Sequence, residues 1–406
     1  MSLEPTTNFK DSNGVDLGKK LVTKDYLISV YPEIGQQIGI PPELWVWGNG
    51  FYGQLGNAST TSTNSTPVTT SAGGTNWKQV SGGQRVTLAI KTDGTLWAWG
   101  NNIIPTLGNA STTNASTPVT TFAGGTNWKQ VSCGGYFAAA IKTDGTLWTW
   151  GSGIQGKLGN ADITNRSTPV TTFAGGTNWK QVSCGFNHMA AIKTDGTLWT
   201  WGLGSNSELG NAQTTNKSTP VTTFAGGTNW KQVSCGNGQV AAIKTDGTLW
   251  VWGNAFFGNL GNGATAGFVS TPITTFAGGN NWKQVSACGS HTAAIKTDGT
   301  LWTWGQGGFA NLGNNAVNNR STPVTTFAGG TNWKQVSGGG GGIGANTVAI
   351  KTDGTLWIWG VGTIGRLGNA STNTALTPVT TFAGGTNWKQ VGSGGNHTAA
   401  IKSVDF

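Results

Sequence analysis

The stretch KTDGTLWTWG, residues 193–202, decides the fold. Its Asp195-Gly196 pair sits between two alternating segments, which is a strong short signal for a β-hairpin. In TLWTWG the two tryptophans, Trp199 and Trp201, are two residues apart. Both rings therefore leave one face of a strand, while Leu198 and the small Thr200 occupy the other. A strand patterned for burial on both faces expects a sheet packed against each side. Nothing in this stretch has a helical period.

Working outward, the LWxWG string occurs seven times, its first tryptophan being Trp45, Trp97, Trp148, Trp199, Trp250, Trp302 and Trp357, at intervals of 51 to 55 residues. A second string, NWKQV, also occurs seven times, at Trp77, Trp128, Trp179, Trp230, Trp282, Trp333 and Trp388. Together they use all 21 tryptophans of the 406-residue chain. Each unit reads as STPVTTF, a Gly-rich turn, WKQVS, a short loop, an AAIKT strand, the TDG turn and TLWTWG. Four short strands in one unit describe a propeller blade. The expected fold is all-β: a seven-bladed β-propeller of four-stranded blades. A solenoid would expect atypical polar units at its ends. Here the last unit runs through GGNHTAAIK to Lys402 and lacks its LWxWG strand, while the first begins at PPELWVWG and lacks WKQVS and AAIKT. A closing blade shared by the N- and C-terminal segments follows, and it leaves no open sheet edge. The division expected is residues 1–40 as an arm and 41–406 as the propeller.

Composition agrees. The chain has 67 Gly and only 10% charged residues, against roughly a quarter charged in ordinary proteins. Low charge with abundant Trp is the reverse of a disordered composition. No apolar run is long enough for a spanning helix. The start, MSLEPTTNFKDSNG, lacks the basic and apolar regions of a secretory signal.

The pattern WGxxxxGxLG, followed by a Pro-containing strand and VSCGxxHTAAIKTDG, resembles the repeat of the regulator of chromosome condensation. Clear copies are WGNGFYGQLGN at 47–57 and VSCGFNHMAAIKTDG at 182–196. The resemblance covers roughly residues 41–406. It implies a seven-bladed propeller with a shared closing blade and does not fix the function. The family includes a nucleotide exchange factor for a small GTPase, ubiquitin-ligase modules and a secreted bacterial β-lactamase inhibitor.

The net charge of +9 decomposes into repeat terms. Seven lysines come from NWKQ, seven from AIK, and six aspartates from TDG, so all but one unit of the excess is stamped evenly around the ring. A nucleic-acid site would instead gather a basic stripe, so nucleic acid is not the expected partner. The even distribution reads as lysines solvating aromatic strands, with an anionic surface as the rival reading.

No catalytic or metal constellation is legible. Cys133, Cys184, Cys235 and Cys288 belong to successive units, without the close pairing of zinc ligands or disulfides. His188, His291 and His397 share a position that other units fill with Val86, Phe137, Gln239 and Asn346. Such a position is not a repeated acid–base site. Asp93 and its five copies are turn residues. Gly338–Gly344 has neither a following lysine nor a helix and reads as a lengthened loop, so no cofactor is expected.

The units differ where KTDGTLW and FAGGTNWKQV do not. After WG they read NGFYGQ, NNIIPT, SGIQGK, LGSNSE, NAFFGN, QGGFAN and VGTIGR, and a second variable stretch follows LGN. Drift alone should enrich polar residues, yet these loops carry Phe51, Tyr52, Ile103, Ile104, Ile154, Phe256, Phe257, Phe268, Phe309 and Ile364. With Gln155 and Asn206 they form the expected binding set, displayed on one face of the ring.

Thr23 can cap a short helix through residues 25–31, stopped by Pro32. Lys24, Tyr26, Leu27, Val30 and Tyr31 are its candidate anchoring residues. The segment FKDSNGVDLGKKLVTKDYLISVYP, residues 9–32, resembles the leader of structural proteins of marine bacteriophages, which implies an assembly anchor. The functional expectation is a non-enzymatic virion protein made in a host cytoplasm: a tail, baseplate or capsid-decorating propeller. Residues 1–40 would dock on other virion proteins, and the variable loops would bind a host-surface glycan or protein. The alternative is a cellular regulator or inhibitor propeller that binds a protein partner.

Overall fold

The computed structural model describes residues 42–71, 75–339 and 346–403. Among these, 28 strands form seven antiparallel four-stranded sheets. One blade shows the plan. Its inner strand is Trp179–Cys184, its second His188–Lys193, its third Leu198–Gly202 and its outer strand Lys217–Thr222. The Asp195-Gly196 turn joins the second and third strands, as the sequence requires. Asp195 Oδ1 accepts from the Thr197 N–H at 2.9 Å and from the Thr197 hydroxyl at 2.7 Å, and Thr197 Oγ1 accepts from Trp199 Nε1 at 3.0 Å. These hydrogen bonds hold the Asp195 carboxyl below its usual range, the Thr197 N–H contributing most.

Six blades are continuous in sequence. The seventh takes its outer strand Asn64–Thr69 and third strand Glu43–Gly48 from the start of the described chain, and its second strand His397–Lys402 and inner strand Trp388–Ser393 from the end. Glu43 lies opposite Lys402, Val46 opposite Ala399 and Gly48 opposite His397. The shared closing blade that the sequence implied is therefore present. It lacks a TDGT turn before its LWxWG strand, and Trp45 Nε1 is correspondingly buried without a hydrogen-bond partner.

Burial on both faces explains why sheets so short are stable. Val86, Leu88, Ile90 and Leu96 of one blade pack on Trp128, Val131 and Trp150 of the next. At the closing junction, Leu44, Val46 and Ile401 meet Trp77, Val80 and Trp99. In each blade the inner-strand tryptophan contacts a third-strand tryptophan edge-to-face, as Trp179 does with Trp199 and Trp201 at 6.4 and 6.3 Å. The Leu-Gly that follows each variable loop seals the junction. Gly159 has φ +64°, and a Cβ there would stand 2.6 Å from the Trp201 ring nitrogen. Only glycine gives both the left-handed backbone and the close approach.

The inner strands diverge too far for a backbone ladder between blades, and glutamine bridges the gap. Gln181 Nε2 donates to the Val233 carbonyl at 3.2 Å and its Oε1 accepts from the Val233 N–H at 3.0 Å. The same reciprocal pair recurs at Gln79, Gln130, Gln232, Gln284 and Gln390. Each primary amide thus satisfies two backbone groups that would otherwise be orphaned.

Antiparallel order gives the ring two unlike faces. One carries the loop after the inner strand and the variable loop after the third strand. The other carries the KTDG turns and the FAGG turns.

Candidate binding face

The variable loops collect on the first face, as expected, but they are not free tips. Each folds onto its neighbour: the Ala58, Ala110, Ala161 and Ala212 N–H groups donate to the Ser116, Ser167, Ser218 and Ser270 carbonyls of the next outer strand, all at 2.9 Å. This anchoring divides the expected binding residues. Phe51, Ile103, Ile154, Phe256, Phe257 and Phe268 are exposed, whereas Tyr52, Ile104, Gln155, Asn206, Phe309 and Ile364 are half-covered. The Arg85 guanidinium lies over the Tyr52 ring at 4.6 Å. The Asn206 side-chain amide donates to Glu208 at 2.9 Å, so that donor is already engaged. Phe268 is not a loop residue: it opens the outer strand Phe268–Thr274 and packs edge-on against Phe256, with centroids 5.7 Å apart.

Beneath the loops lies a set the sequence reading missed. The residue before each Leu-Gly is polar in all seven units and buried: Gln54, Thr106, Lys157, Glu208, Asn259, Asn311 and Arg366. Its fixed place before Leu-Gly was the available signal. Six of the seven carbonyls accept from a tryptophan Nε1 of the adjoining blade. The side chains differ in partner: Gln54 and Glu208 bond Asn49 and Asn206 of the loop, whereas Asn311 meets His291 and Arg366 meets Asn396. Burial lowers the Lys157 amine to about 8 and raises the Glu208 carboxyl above its ordinary range.

Where three blades meet, this face opens a cleft of about 370 Å³. Asn187, Asn206, Asn237, Asn254 and Asn259 line it with Phe256 and Phe257. Asn259 Oδ1 is buried there without a hydrogen-bond partner. Phe257 holds φ 65°, a left-handed conformation that costs a bulky L-residue about 1–2 kcal/mol. Gln155 (φ 68°) and Ile364 (φ 58°) hold the same conformation at the same place in their units, so it belongs to the repeat's loop and not to the cleft alone. The cleft can offer neutral amides and two aromatic faces to a ligand, and no charged group lines it.

The histidine position is scaffold. His188, His291 and His397 are buried, as are Val86, Phe137, Gln239 and Asn346 at the same strand start. The Thr87 hydroxyl donates to the Gln54 carbonyl at 2.8 Å, so its oxygen accepts from His397 Nε2 at 2.7 Å. Thr347 receives His291 Nε2 in the same way, at 2.7 Å. The four cysteines are free and buried. Cys133, Cys184 and Cys235 are equivalent. Cys288 is offset by one residue, since Ala287 takes the Cys235 position. Among the described residues no group of three metal-ligating side chains exists. The candidate anchors Lys24, Tyr26, Leu27, Val30 and Tyr31 lie outside the described residues.

A second apolar set stands on the opposite face, and it too was missed. Phe122, Phe173, Phe224, Phe276, Phe327 and Phe382, the last residue of each STPVTTF, are 66–74% exposed. They read as scaffold because they do not vary. The signal was Ser71 at the same place in the first unit: a position that accepts Ser is not core.

A closed, two-faced ring with a constant framework and varied loops is a binding scaffold of the propeller class. Residues 43–403 match the RCC1-like domain, and the chain belongs to that family. It is similar to the ultraviolet-B receptor UVR8 of Arabidopsis thaliana, 30% identical over 79% of this chain and 74% of that protein. It is also 28% identical to the human E3 ubiquitin-protein ligase HERC2 over 90% of this chain, which spans only 8% of that much longer protein. Among solved structures, Prp20p of Saccharomyces cerevisiae superposes with a TM-score of 0.77 at 19% identity, covering 92% of this chain and 95% of that one, a likeness of fold. The relatives named here are cellular proteins, which favours the second of the two functional expectations over the virion reading.

Proposed function

We propose that this chain is a non-catalytic, protein-binding propeller that captures its partner on the variable-loop face. The observation that carries this reading is the cleft at the three-blade junction, with exposed Phe256 and Phe257 at its edge and an unpartnered buried amide oxygen on Asn259. Exposed aromatics beside a preformed cleft supply the anchor residues on which protein interfaces depend. The binding of Prp20p to Gsp1p and histones supports a protein partner for this fold.

The test is cross-linking with mass spectrometry on the full chain and on a Phe256→Ser, Phe257→Ser double variant. Loss of specific cross-links from the loop face, with an unchanged melting temperature, supports the reading. An unchanged cross-link set at the same melting temperature rejects it.

A second reading follows from the amide lining. Five asparagines and two phenylalanines are the chemistry that grips a neutral sugar, amides for hydroxyls and rings for the apolar sugar face. Glycan-array binding lost in the same double variant would select it. The virion placement rests on residues 9–32 alone and draws no support from the relatives, so the cellular reading is preferred.

A further inference from the structure

The face opposite the variable loops carries its own surface, and we propose that it docks flat on an anionic lipid bilayer.

The first observation is the phenylalanine ring. Six blades expose Phe122, Phe173, Phe224, Phe276, Phe327 and Phe382 at repeat-equivalent sites. Each backbone N–H donates to the glycine carbonyl of its own Leu-Gly segment, Gly108, Gly159, Gly210, Gly261, Gly313 and Gly368 respectively, at 2.8 Å in all six. Identical anchoring in a closed ring sets the six residues at one height. Nothing in the fold requires an aromatic there, since Ser71 fills the seventh site with the same bond to Gly56, also at 2.8 Å. Single exposed apolar residues need no explanation, whereas a repeated, level set marks an interaction surface.

The second observation is charge. The second residue of each inner strand is an exposed lysine, Lys78 through Lys389, close to the same face. The last residue of each second strand is also lysine. Its ammonium lies 4.3–5.8 Å from the rings of an inner-strand and a third-strand tryptophan. Fourteen lysines thus stand against the six aspartates of the TDG turns. Half-buried tryptophans, exposed phenylalanines and lysines on one side of the ring are the composition of surfaces that lie among lipid headgroups.

Complementarity selects the occupant. A second copy meeting through the same face would set lysines against lysines. A nucleic-acid duplex answers the charge but gives the level phenylalanines no apolar medium. An anionic bilayer answers both at once, with phosphates for the lysines and a planar hydrocarbon boundary for the rings.

The experiment is vesicle co-sedimentation of the full chain, comparing phosphatidylcholine vesicles with an equal mixture of phosphatidylcholine and phosphatidylglycerol. The expected result is binding at least about tenfold tighter to the anionic vesicles, weakening with added salt. A Phe122→Ser, Phe173→Ser, Phe224→Ser variant, built with the residue native at position 71, should lose about tenfold or more of that binding with an unchanged melting temperature. Phe256→Ser with Phe257→Ser, on the other face, should leave vesicle binding intact, so this inference fails or stands separately from partner capture. Equal binding to both vesicle types, retention by duplex DNA without vesicle binding, or full binding by the triple variant would each overturn it.

Discussion

Gln390 joins the end of the propeller to its beginning through Val80. Its Nε2 donates to the Val80 carbonyl at 3.0 Å and its Oε1 accepts from the Val80 N–H at 2.8 Å, across 310 residues of sequence. Five other glutamines make the same pair between blades that are already adjacent in the chain. Here the pair spans the junction that closes the ring, beside the Gly395 N–H bond to the Gly83 carbonyl at 3.0 Å and the Trp99 Nε1 bond to the Gln54 carbonyl at 2.9 Å.

Gln390→Leu removes both bonds and leaves a buried N–H and C=O without partners. It should cost about 2–3 kcal/mol, which equilibrium denaturation would register. Amide exchange at Val80 should accelerate together with that of the Glu43–Gly48 strand. Gln181→Leu, at an internal junction, should cost a similar amount but speed exchange only at Val233 and its neighbours. Equal exchange patterns in the two variants would show that closure is no weaker than any other junction.

Two glycines with left-handed backbones separate strain from contact. Gly175 has φ +53° with nothing within 4 Å of a prospective Cβ, whereas Gly159 has φ +64° and faces Trp201 at 2.6 Å. Gly175→Ala should cost about 1 kcal/mol, the left-handed penalty alone. Gly159→Ala must also displace a buried indole whose Nε1 donates to the Lys157 carbonyl, and should cost about 3 kcal/mol. Thermal unfolding of both proteins gives the comparison.

Acid should weaken the ring before most carboxylates titrate. Burial lowers His188 and His397 from the ordinary 6.5 to about 4, and His291 to about 3. Between these values the unfolded chain binds more protons than the folded one, so stability is complete above pH 6.5 and is lost as the pH falls toward 4. Each histidine contributes on the order of 3 kcal/mol to this slope. A His291→Asn variant, with the residue native at position 346, should flatten the profile in denaturant titrations between pH 7 and 4.5. An unchanged slope would show that His291 titrates in the fold as it does in the unfolded chain.

The thiols should be silent. Burial pushes Cys184 and Cys288 to about 12, and raises Cys133 and Cys235 as well. Ellman's reagent at pH 8 should label none of the four until denaturant is added. Labelling of the folded protein would place that cysteine on the surface.

The framework was legible because its signals are local and repeated. Trp199 and Trp201 announce a doubly covered strand, Asp195-Gly196 announces its turn, and the complementary half-blades announce closure. The site was legible in part. The loops' membership of one face follows from strand alternation, but the covering of Tyr52 depends on Arg85 of the next blade, which no single unit encodes. Phe173 and its equivalents were hidden for the opposite reason. Constancy between copies reads as packing, and against it stand only Ser71 in the first unit and, in the structure, the burial of Thr172 beside an exposed Phe173.

The pairing of Glu43 with Lys402 carries a consequence for mounting. Both ends of the described ring leave from the edge bearing the KTDG turns, side by side. A load applied directly at Glu43 or Lys402 therefore pulls on that edge, and the variable loops look away from it. The two points where the described chain enters and leaves the ring are like a lamp's fixture, and the cleft near Phe257 is on the side of the light.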